Sequence, residues 1–217
     1  VVLKFGGTSV GTVERIKKVA NIITLYIRKK YKVIVVSSAM SGVTNELVKK
    51  SKNISKNFDL SEYDVLVSSG EQISCSLIAG RLNHLGYKSQ SWMGWQIPIL
   101  TSDIHASSRI NQIYKNKIIK FLKQGGIPII TGFQGVTEGG DVTTLGRGGS
   151  DTTAVAIAAQ VGAKRCDIFT DVDGIFTTDP KVVSNAKKLD SITMEEMLEL
   201  AGQGAKVMQT RAVEFAN

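Results

Sequence analysis

Two glycine-rich segments, far apart in the chain, carry residues suited to binding anions. Lys4–Ser9 reads KFGGTS, and Gly146–Asp151 reads GRGGSD. Glycines let backbone N–H groups approach an anion closely, and the N-terminus of a following helix adds further donors. Lysine supplies a point charge for phosphate, and arginine can grip a carboxylate or phosphate with two hydrogen bonds. Both segments therefore predict binding of phosphate or carboxylate groups.

A third polar segment, Thr170–Phe176, follows a predicted strand and reads TDVDGIF. Its Asp-Gly pair is typical of a tight turn. Its hydroxyl, carboxylates and aromatic ring could also form the edge of a nucleotide site. Asp171, Asp173 and Asp179 resemble calcium-ligand spacing only loosely. Because no twelve-residue loop closed by glutamate follows, we predict no metal site in the chain.

The first segment also permits a hydrolase interpretation. Gly7–Gly11 reads GTSVG, which formally matches the nucleophile elbow placed on a strand-to-helix turn. That chemistry needs a histidine, and the chain has only His84 and His105. His84 falls on a predicted helix surface and His105 in a predicted loop, so the pattern does not favour hydrolysis.

The elements that must position these segments alternate between strand and helix. Hydrophobic periodicity predicts strands over 1–5, 32–36, 88–95, 97–101, 127–131 and 166–170, and a hairpin over 136–144. It predicts helices over 13–30, 65–85 with a break at 68–70, 109–124 and 151–161, two short helices at the end, and a surface loop over 50–61. The alternation predicts a mostly parallel sheet covered on both faces. Ligands of such sheets bind at the carboxyl ends of the strands, where the glycine-rich segments fall.

Composition excludes several classes of protein. The chain has 217 residues, 42% of them hydrophobic and 21% charged, which is ordinary globular usage. Its net charge of +8 is concentrated in the first 60 residues, which hold twelve Lys/Arg and three Asp/Glu. Lysine outnumbers arginine twenty to seven and few aromatic residues interleave the lysines, so we expect a solvated surface and no nucleic-acid partner.

Cysteine usage and hydropathy bear on the compartment. Cys75 and Cys166 are the only cysteines and lack Cys-x-x-Cys spacing, which excludes a disulfide scaffold or zinc finger and favours a reducing compartment. No apolar run approaches the roughly 18 residues of a membrane helix. We therefore expect a cytoplasmic protein without signal peptide or membrane partner.

Taken together, the two anion-binding segments resemble the catalytic domain of the aspartokinases, within the amino-acid kinase fold. Further segments match in order and approximate spacing, so the resemblance spans essentially the whole chain. They are 37–40 with 44–45, 69–74, 132–135 and 170–181. The resemblance implies a three-layer αβα sandwich with a mostly parallel central sheet, forming one catalytic domain over 1–217.

The resemblance implies ATP-dependent phosphorylation of the side-chain carboxylate of L-aspartate, giving 4-phospho-L-aspartate. This is the first step toward lysine, threonine, methionine and diaminopimelate. It implies direct phosphoryl transfer, Mg²⁺ brought by ATP, and a homodimer in the full-length protein. Other kinases of the fold, such as glutamate 5-kinase or uridylate kinase, remain alternatives, as does a nucleotide-binding fragment without turnover.

The resemblance also assigns roles to individual residues. Lys4 would bridge phosphate oxygens at the transferring group, and Asp151 would orient Lys4 and the reactants. Arg147 would hold the α-carboxylate of the substrate, Glu71 its ammonium, with Thr44 and Ser150 nearby. The predicted nucleotide contacts are Lys4, Gly6, Gly7, Ser9, Ser38, Thr170, Asp171, Phe176, Lys181 and Lys206.

The sequence departs from the family pattern in three respects. Gln72 replaces a common arginine, and Gln209 stands where many members have histidine. The chain also stops at Asn217, before a further strand and the ACT regulatory domains of the family. We therefore expect a shortened catalytic unit, to which no feedback inhibitor can be assigned.

Overall fold

The computed structural model describes residues 1–179, 182–183, 185–202 and 212–213. The strands are β1 (Val2–Phe5), β2 (Ile34–Ser37), β3 (Ser89–Trp92), β4 (Ile99–Thr101), β5 (Ile110–Ile113), β6 (Ile127–Thr131), β7 (Gln134–Val136), β8 (Val142–Thr144) and β9 (Cys166–Phe169). The helices are α1 (Val13–Arg28), α2 (Val43–Ile54), α3 (Leu60–His84), α4 (Asn116–Lys123), α5 (Gly149–Val161) and α6 (Met194–Gly202). None of the helices in these described ranges is both long and apolar enough to cross a bilayer.

Five strands form a fully parallel central sheet in the order β3-β6-β2-β1-β9. Strand β1 lies between β2 and β9, with Val2 paired to Ile34 on one side and to Cys166 on the other. Because all five strands run the same way, their carboxyl ends meet at one edge of the sheet. The segments after β1, β2, β6 and β9 are thereby brought together.

Helices cover both faces of this sheet, since the side chains of a strand alternate between faces. Leu3 and Phe5 join one core with residues of α1 and α3, and both are fully buried. Val2 joins the opposite core with residues of α5 and Ile118 of α4. The predicted three-layer α/β fold with a mostly parallel central sheet is confirmed.

A second sheet of four strands, in the order β5-β4-β7-β8, has mixed directions. Buried polar side chains connect it internally and to α3. The hydroxyls of Thr101 and Thr143 lie 2.6 Å apart, and Gln134 Nε2 donates to the carbonyl of Ser68 in α3 at 2.9 Å. This sheet therefore forms a side wall next to the carboxyl edge of the central sheet.

Helix α3 is continuous, so the predicted break at 68–70 is wrong. The hydroxyls of Ser68 and Ser69 donate to carbonyls one turn earlier instead of interrupting the helix. A Cβ on Gly70 would lie 2.8 Å from the Cβ of Ala39, so glycine permits close packing there. The small residues mark a tight contact between α3 and the segment after β2.

Two other predictions of elements need correction. The predicted loop over 50–61 is confined to 55–59, because α2 continues to Ile54 and α3 begins at Leu60. The predicted helix over 109–124 is strand β5 followed by α4. Residues 110–113 pair with β4, and this tertiary pairing overrides the local helical pattern.

Candidate active site

A cleft of about 320 Å³ opens at the carboxyl edge of the central sheet. It is bounded by the segments after β1 and β2, the starts of α2 and α5, and the middle of α3. Eight of the predicted site residues line it: Lys4, Gly7, Ser38, Thr44, Glu71, Arg147, Ser150 and Asp151.

The cleft contains an ion pair between the central sheet and helix α5. Lys4 shares the face of β1 that Val2 uses to contact α5, and Asp151 lies in the first turn of that helix. Lys4 Nζ is 2.7 Å from Asp151 Oδ1, with only 8% and 18% of the two side chains exposed. The alternation of the strand therefore delivers the ammonium directly to the cleft.

Helix α5 begins without a hydrogen bond from a capping side chain. Its N-cap is Gly148, whose φ of +70° is left-handed. Asp151 is therefore available to pair with Lys4. The uncapped N-terminus faces the cleft and favours bound anions.

The Lys4–Ser9 loop passes very close to the segment after β2. A Cβ on Gly7 would lie 2.9 Å from the carbonyl oxygen of Ala39, a contact that a side chain could not make. The N–H groups of Gly6 and Ser9, which the sequence predicted to contact the nucleotide, donate to the carbonyls of Phe169 and Gly6. Of this loop, Lys4 and Gly7 line the cleft.

Glu71 of α3 is a buried carboxyl group, and only one of its two oxygens accepts a hydrogen bond from the described residues. Only 3% of the residue is exposed, and Oε1 accepts a hydrogen bond from Ala39 N at 3.0 Å. Oε2 is buried and has no hydrogen-bond partner among the residues that the structure describes. Burial raises the pKa of Glu71 to about 8, although the hydrogen bond from Ala39 opposes this. Because a buried polar atom normally has a partner, Oε2 marks a place for a ligand donor.

Arg147 lies on the exposed part of the loop between β8 and α5. Gly146 and Gly148 on either side have φ values of +75° and +70°, which glycine adopts without strain. The tight loop carries Arg147 to the rim of the cleft. The cleft therefore contains a guanidinium that can bind an anion and the carboxyl group of Glu71, which can bind a cation.

A second pocket, of about 340 Å³, lies between α1 and the ends of β1 and β9. It collects three further predicted residues, Ser9, Thr170 and Asp171, together with Arg15 and Lys18 of α1. The predicted nucleotide contacts thus fall into two neighbouring cavities on either side of the Lys4–Ser9 loop.

Among the described residues, Phe176 and Gly6 were also predicted to contact the nucleotide but line neither cavity. Phe176 forms an antiparallel bridge with Lys188. Gly6 lies behind Lys4, where an added Cβ would be 3.4 Å from Lys4 Nζ. Lys181 and Lys206 lie outside the described residues, so their predicted contacts stay predictions.

Phe133 was given no role from the sequence, although it lines the cleft. It follows β6 with a left-handed φ of +71°, an uncommon conformation for an aromatic residue. Its N–H donates to Thr153 Oγ1 of α5 at 3.1 Å. The sequence signals were its place in the family-matching segment 132–135 and an aromatic residue next to a glycine directly after a strand.

The hydrolase alternative finds no support in the geometry. Ser9 Oγ donates to the carbonyl of Phe169, and neither His84 nor His105 lines the cavity that contains Ser9. His105 instead contacts Asp64 at 2.8 Å.

The fold and the cleft define an α/β protein that can hold anions at the carboxyl edge of its parallel sheet. Comparison of the sequence with known families agrees, because the profile of the amino acid kinase family matches residues 1–217. The chain belongs to the amino acid kinase family.

Its relatives within that family are aspartokinases, which confirms the resemblance found in the sequence. The aspartokinase of Geobacillus stearothermophilus is 53% identical over 216 residues, covering all of this chain and 53% of that protein. Aspartokinase 2 of Bacillus subtilis is 50% identical over 216 residues, again covering all of this chain and 53% of that protein. The chain thus spans about half the length of the curated relatives it matches.

Solved structures give the same result. Aspartate kinase from Synechocystis superposes with a TM-score of 0.85 at 44% identity, covering 99% of this chain and 36% of that one. E. coli aspartokinase III, in complex with aspartate and ADP, superposes with a TM-score of 0.86 at 30% identity, covering 99% and 59%.

Proposed function

We propose that the protein phosphorylates the side-chain carboxylate of L-aspartate with ATP, giving 4-phospho-L-aspartate. The proposal is supported by aspartokinases that are 50–53% identical in sequence over the full chain, and by a structural neighbour solved in complex with aspartate and ADP. The observation that carries the proposal is the combination in one cleft of the Lys4–Asp151 pair, the open carboxyl of Glu71 and the guanidinium of Arg147.

The acidic Glu71 and the basic Arg147, which both line the cleft, suit the two charged groups of a free amino acid. Glu71 would accept from the α-ammonium through its unpartnered Oε2, and this cation would lower the pKa that burial raises. Arg147 would bind the α-carboxylate with two hydrogen bonds. Thr44 and Ser150 line the same cleft and add hydroxyl donors.

The reaction brings two anions together, so charge neutralisation and positioning carry most of the catalysis. A side-chain carboxylate oxygen of aspartate attacks the γ-phosphorus of ATP, and the bond to the β–γ bridging oxygen breaks to release ADP. Lys4 would stabilise charge on the transferred phosphoryl group, while Asp151 holds its ammonium in place. The start of α5, whose residues Gly149 and Ser150 line the cleft, would add the positive end of its helix dipole.

For the nucleotide, Gly7 and Ser38 line the cleft, and Ser9, Thr170 and Asp171 line the neighbouring cavity. Because a side chain at Gly7 would clash with the Ala39 carbonyl, this position would offer only backbone to the phosphates. Mg²⁺ would come with ATP, since this ion keeps waters and is held largely by substrate phosphates. When bound, it would neutralise phosphate charge.

The direct test incubates the protein with Mg-ATP and L-aspartate and traps the acyl phosphate as a hydroxamate. We expect aspartate-dependent hydroxamate that Lys4→Ala abolishes, because the transition state loses its cation. Exposed Lys52 provides a matched control, since Lys52→Ala should leave the rate unchanged. Product from L-glutamate or a nucleoside monophosphate instead would indicate another kinase of the fold. ATP binding without any product would indicate a nucleotide-binding fragment.

A second test addresses the amino-acid site. Arg147→Ala should raise the aspartate KM by an amount corresponding to about 2–5 kcal/mol, because bound aspartate would cover the exposed guanidinium and form a desolvated charge pair with it. The ATP KM should change little. Equal effects on both substrates would contradict the assignment of Arg147 to the α-carboxylate.

We further propose that this reaction serves lysine, threonine, methionine and diaminopimelate synthesis, and that residues 1–217 form one catalytic domain. The resemblance supports both. The homodimer and the cytoplasmic location stay predictions.

A further inference from the structure

A second buried carboxylate lies on α3, outside the cleft. Asp64 is completely buried, and four polar contacts satisfy it. Oδ2 lies 2.8 Å from His105 Nδ1 and 2.9 Å from Ala106 N, and Oδ1 accepts from Ala106 N at 3.1 Å and from Thr144 Oγ1 at 2.5 Å. A buried charge with this many donors fixes the groups that surround it.

These contacts join three parts of the chain. Asp64 belongs to α3, His105 and Ala106 to the turn between β4 and β5, and Thr144 is the last residue of β8. The turn and β8 are also joined directly, because both the N–H and the hydroxyl of Ser108 donate to the Thr144 carbonyl at 2.9 and 2.8 Å. Asp64 therefore lies at the centre of a junction.

The junction lies directly beneath the loop that carries Arg147. Thr144 precedes this loop by one residue, and Leu145 N donates to the carbonyl of Phe133 on the other side. At Gly146, an added Cβ would lie 3.2 Å from the carbonyl oxygen of Ala106. The start of the loop is thus held between the Asp64 junction and the segment after β6.

Helix α3 also connects this junction to the cleft. Asp64 and Glu71 are seven positions apart, two helical turns, so both project from the same side of the helix. One rigid helix therefore carries Glu71 into the cleft and Asp64 to the base of the Arg147 loop. The distance between the two proposed recognition groups for an amino acid depends on both.

We propose that Asp64 is a positioning residue for the amino-acid substrate. Through Thr144, His105 and Ala106 it holds the Arg147 loop at a fixed distance from Glu71, so that the guanidinium and the carboxyl group can contact the α-carboxylate and the α-ammonium of one substrate molecule. This proposal rests on the proposed function for its kinetic consequence, but the anchoring of the loop can be measured without substrate.

The experiment compares Asp64→Asn, Thr144→Val and Thr144→Ser with the control Glu62→Gln. Glu62 is an exposed carboxylate on the same helix, so the control removes the same charge outside the junction. Because small displacements of a positioning group reduce binding steeply, we expect Asp64→Asn to raise the aspartate KM about tenfold and Thr144→Val about threefold. The ATP KM should stay within about twofold, and Thr144→Ser should restore the wild-type value by returning the hydroxyl.

A substrate-free measurement follows tryptic cleavage after Arg147 in the native protein by mass spectrometry. Asp64→Asn and Thr144→Val should increase the rate of cleavage after Arg147 more than the rate of cleavage after Lys123, which lies at the exposed end of α4. If the wild-type protein phosphorylates no aspartate, the proposed function fails while the cleavage rates still decide the anchoring.

Two results would overturn the positioning role. One is an equal rise of both KM values; the other is cleavage that accelerates equally at Arg147 and Lys123, which general loosening would produce. If Asp64→Asn does not fold, the Thr144→Val and Thr144→Ser pair decides alone, and a serine variant no better than valine would contradict the proposal.

Discussion

Asp64 and Glu71 are both buried carboxyl groups on the same side of α3, yet their surroundings differ. Asp64 receives all of its hydrogen bonds from the protein, whereas Glu71 receives one and keeps Oε2 without a partner. The first arrangement stabilises the fold, because the charge is solvated by fixed donors. The arrangement at Glu71 costs folding stability, because Oε2 is buried without a donor from the described part of the protein. It favours binding, because a ligand can supply that donor. Two turns of one helix thus separate a structural carboxylate from a recognition site.

The largest effect should come from removing charge at the satisfied site. Asp64→Asn should lower the free energy of unfolding by about 4 kcal/mol, because one amide group cannot accept from every donor that now faces the carboxylate. Glu71→Gln should cost little or nothing. Urea titration of both variants beside Glu62→Gln measures the difference, and equal losses for the two buried positions would remove the distinction drawn here.

The second-largest effect should be a fall in folding stability with rising pH, caused by Glu71. Its pKa is about 8 in the folded protein against an ordinary 4.5, so the folded state retains a proton that the unfolded state releases. Stability from this group is therefore full below pH 4.5 and is lost as pH rises through 8, by about 3 kcal/mol between pH 5 and 8. Denaturation at a series of pH values should show this decline in the wild type without ligand.

The matched variant isolates this contribution. Glu71→Gln cannot titrate, so the decline assigned to residue 71 should be absent, while Glu62→Gln should retain it. An unchanged pH profile in Glu71→Gln would mean that the buried group does not carry the raised pKa.

Substrate recognition should show a smaller but specific change. Glu71→Gln should raise the aspartate KM about thirtyfold, near 2 kcal/mol, because an amide pairs more weakly than a carboxylate with the substrate ammonium. The ATP KM should be nearly constant. Hydroxamate assays at varied aspartate and ATP concentrations separate the two KM values. A change confined to the ATP KM would assign Glu71 to the nucleotide site instead.

The smallest effect should come from a neighbour of Glu71. Ser74 Oγ donates to the Ser38 carbonyl at 2.7 Å and lies 3.1 Å from Ser37 Oγ, which holds the segment after β2 near α3. Ser74→Ala should cost about 1 kcal/mol, the usual net value of one such hydrogen bond. Thermal unfolding measures this, with exposed Ser76→Ala as the control; a loss as large as that of Asp64→Asn would place the main polar anchor here instead.

Much of the fold could be predicted, because short, nearly continuous apolar runs mark the buried parallel strands at 2–5, 34–37 and 127–131. The predicted secondary structure was wrong where contacts with distant parts of the chain determine the conformation. Residues 110–113 form a strand because β4 lies alongside, and Gly70 occurs within a helix because Ala39 leaves no room there for a side chain. Neither partner is visible in a local window of sequence.

The candidate site divides in the same way. Lys4 and the 146–151 loop were recognised from residue type and order, and the resemblance paired Lys4 with Asp151, which the structure has at 2.7 Å. Phe133 and Asp64 were missed. An aspartate in a helical segment gives no sign that it is buried, since its donors come from 41 to 80 residues away.

The sequence alone determined the family, the layered α/β architecture and the residue types available for anion binding, because these depend on local periodicity and short motifs. Only the tertiary structure decided which charges are satisfied and which stay open. Whether a buried carboxyl group meets four polar contacts or one depends on segments that fold against it from elsewhere in the chain. That arrangement distinguishes Asp64 from Glu71, although both are acidic residues on one face of one helix.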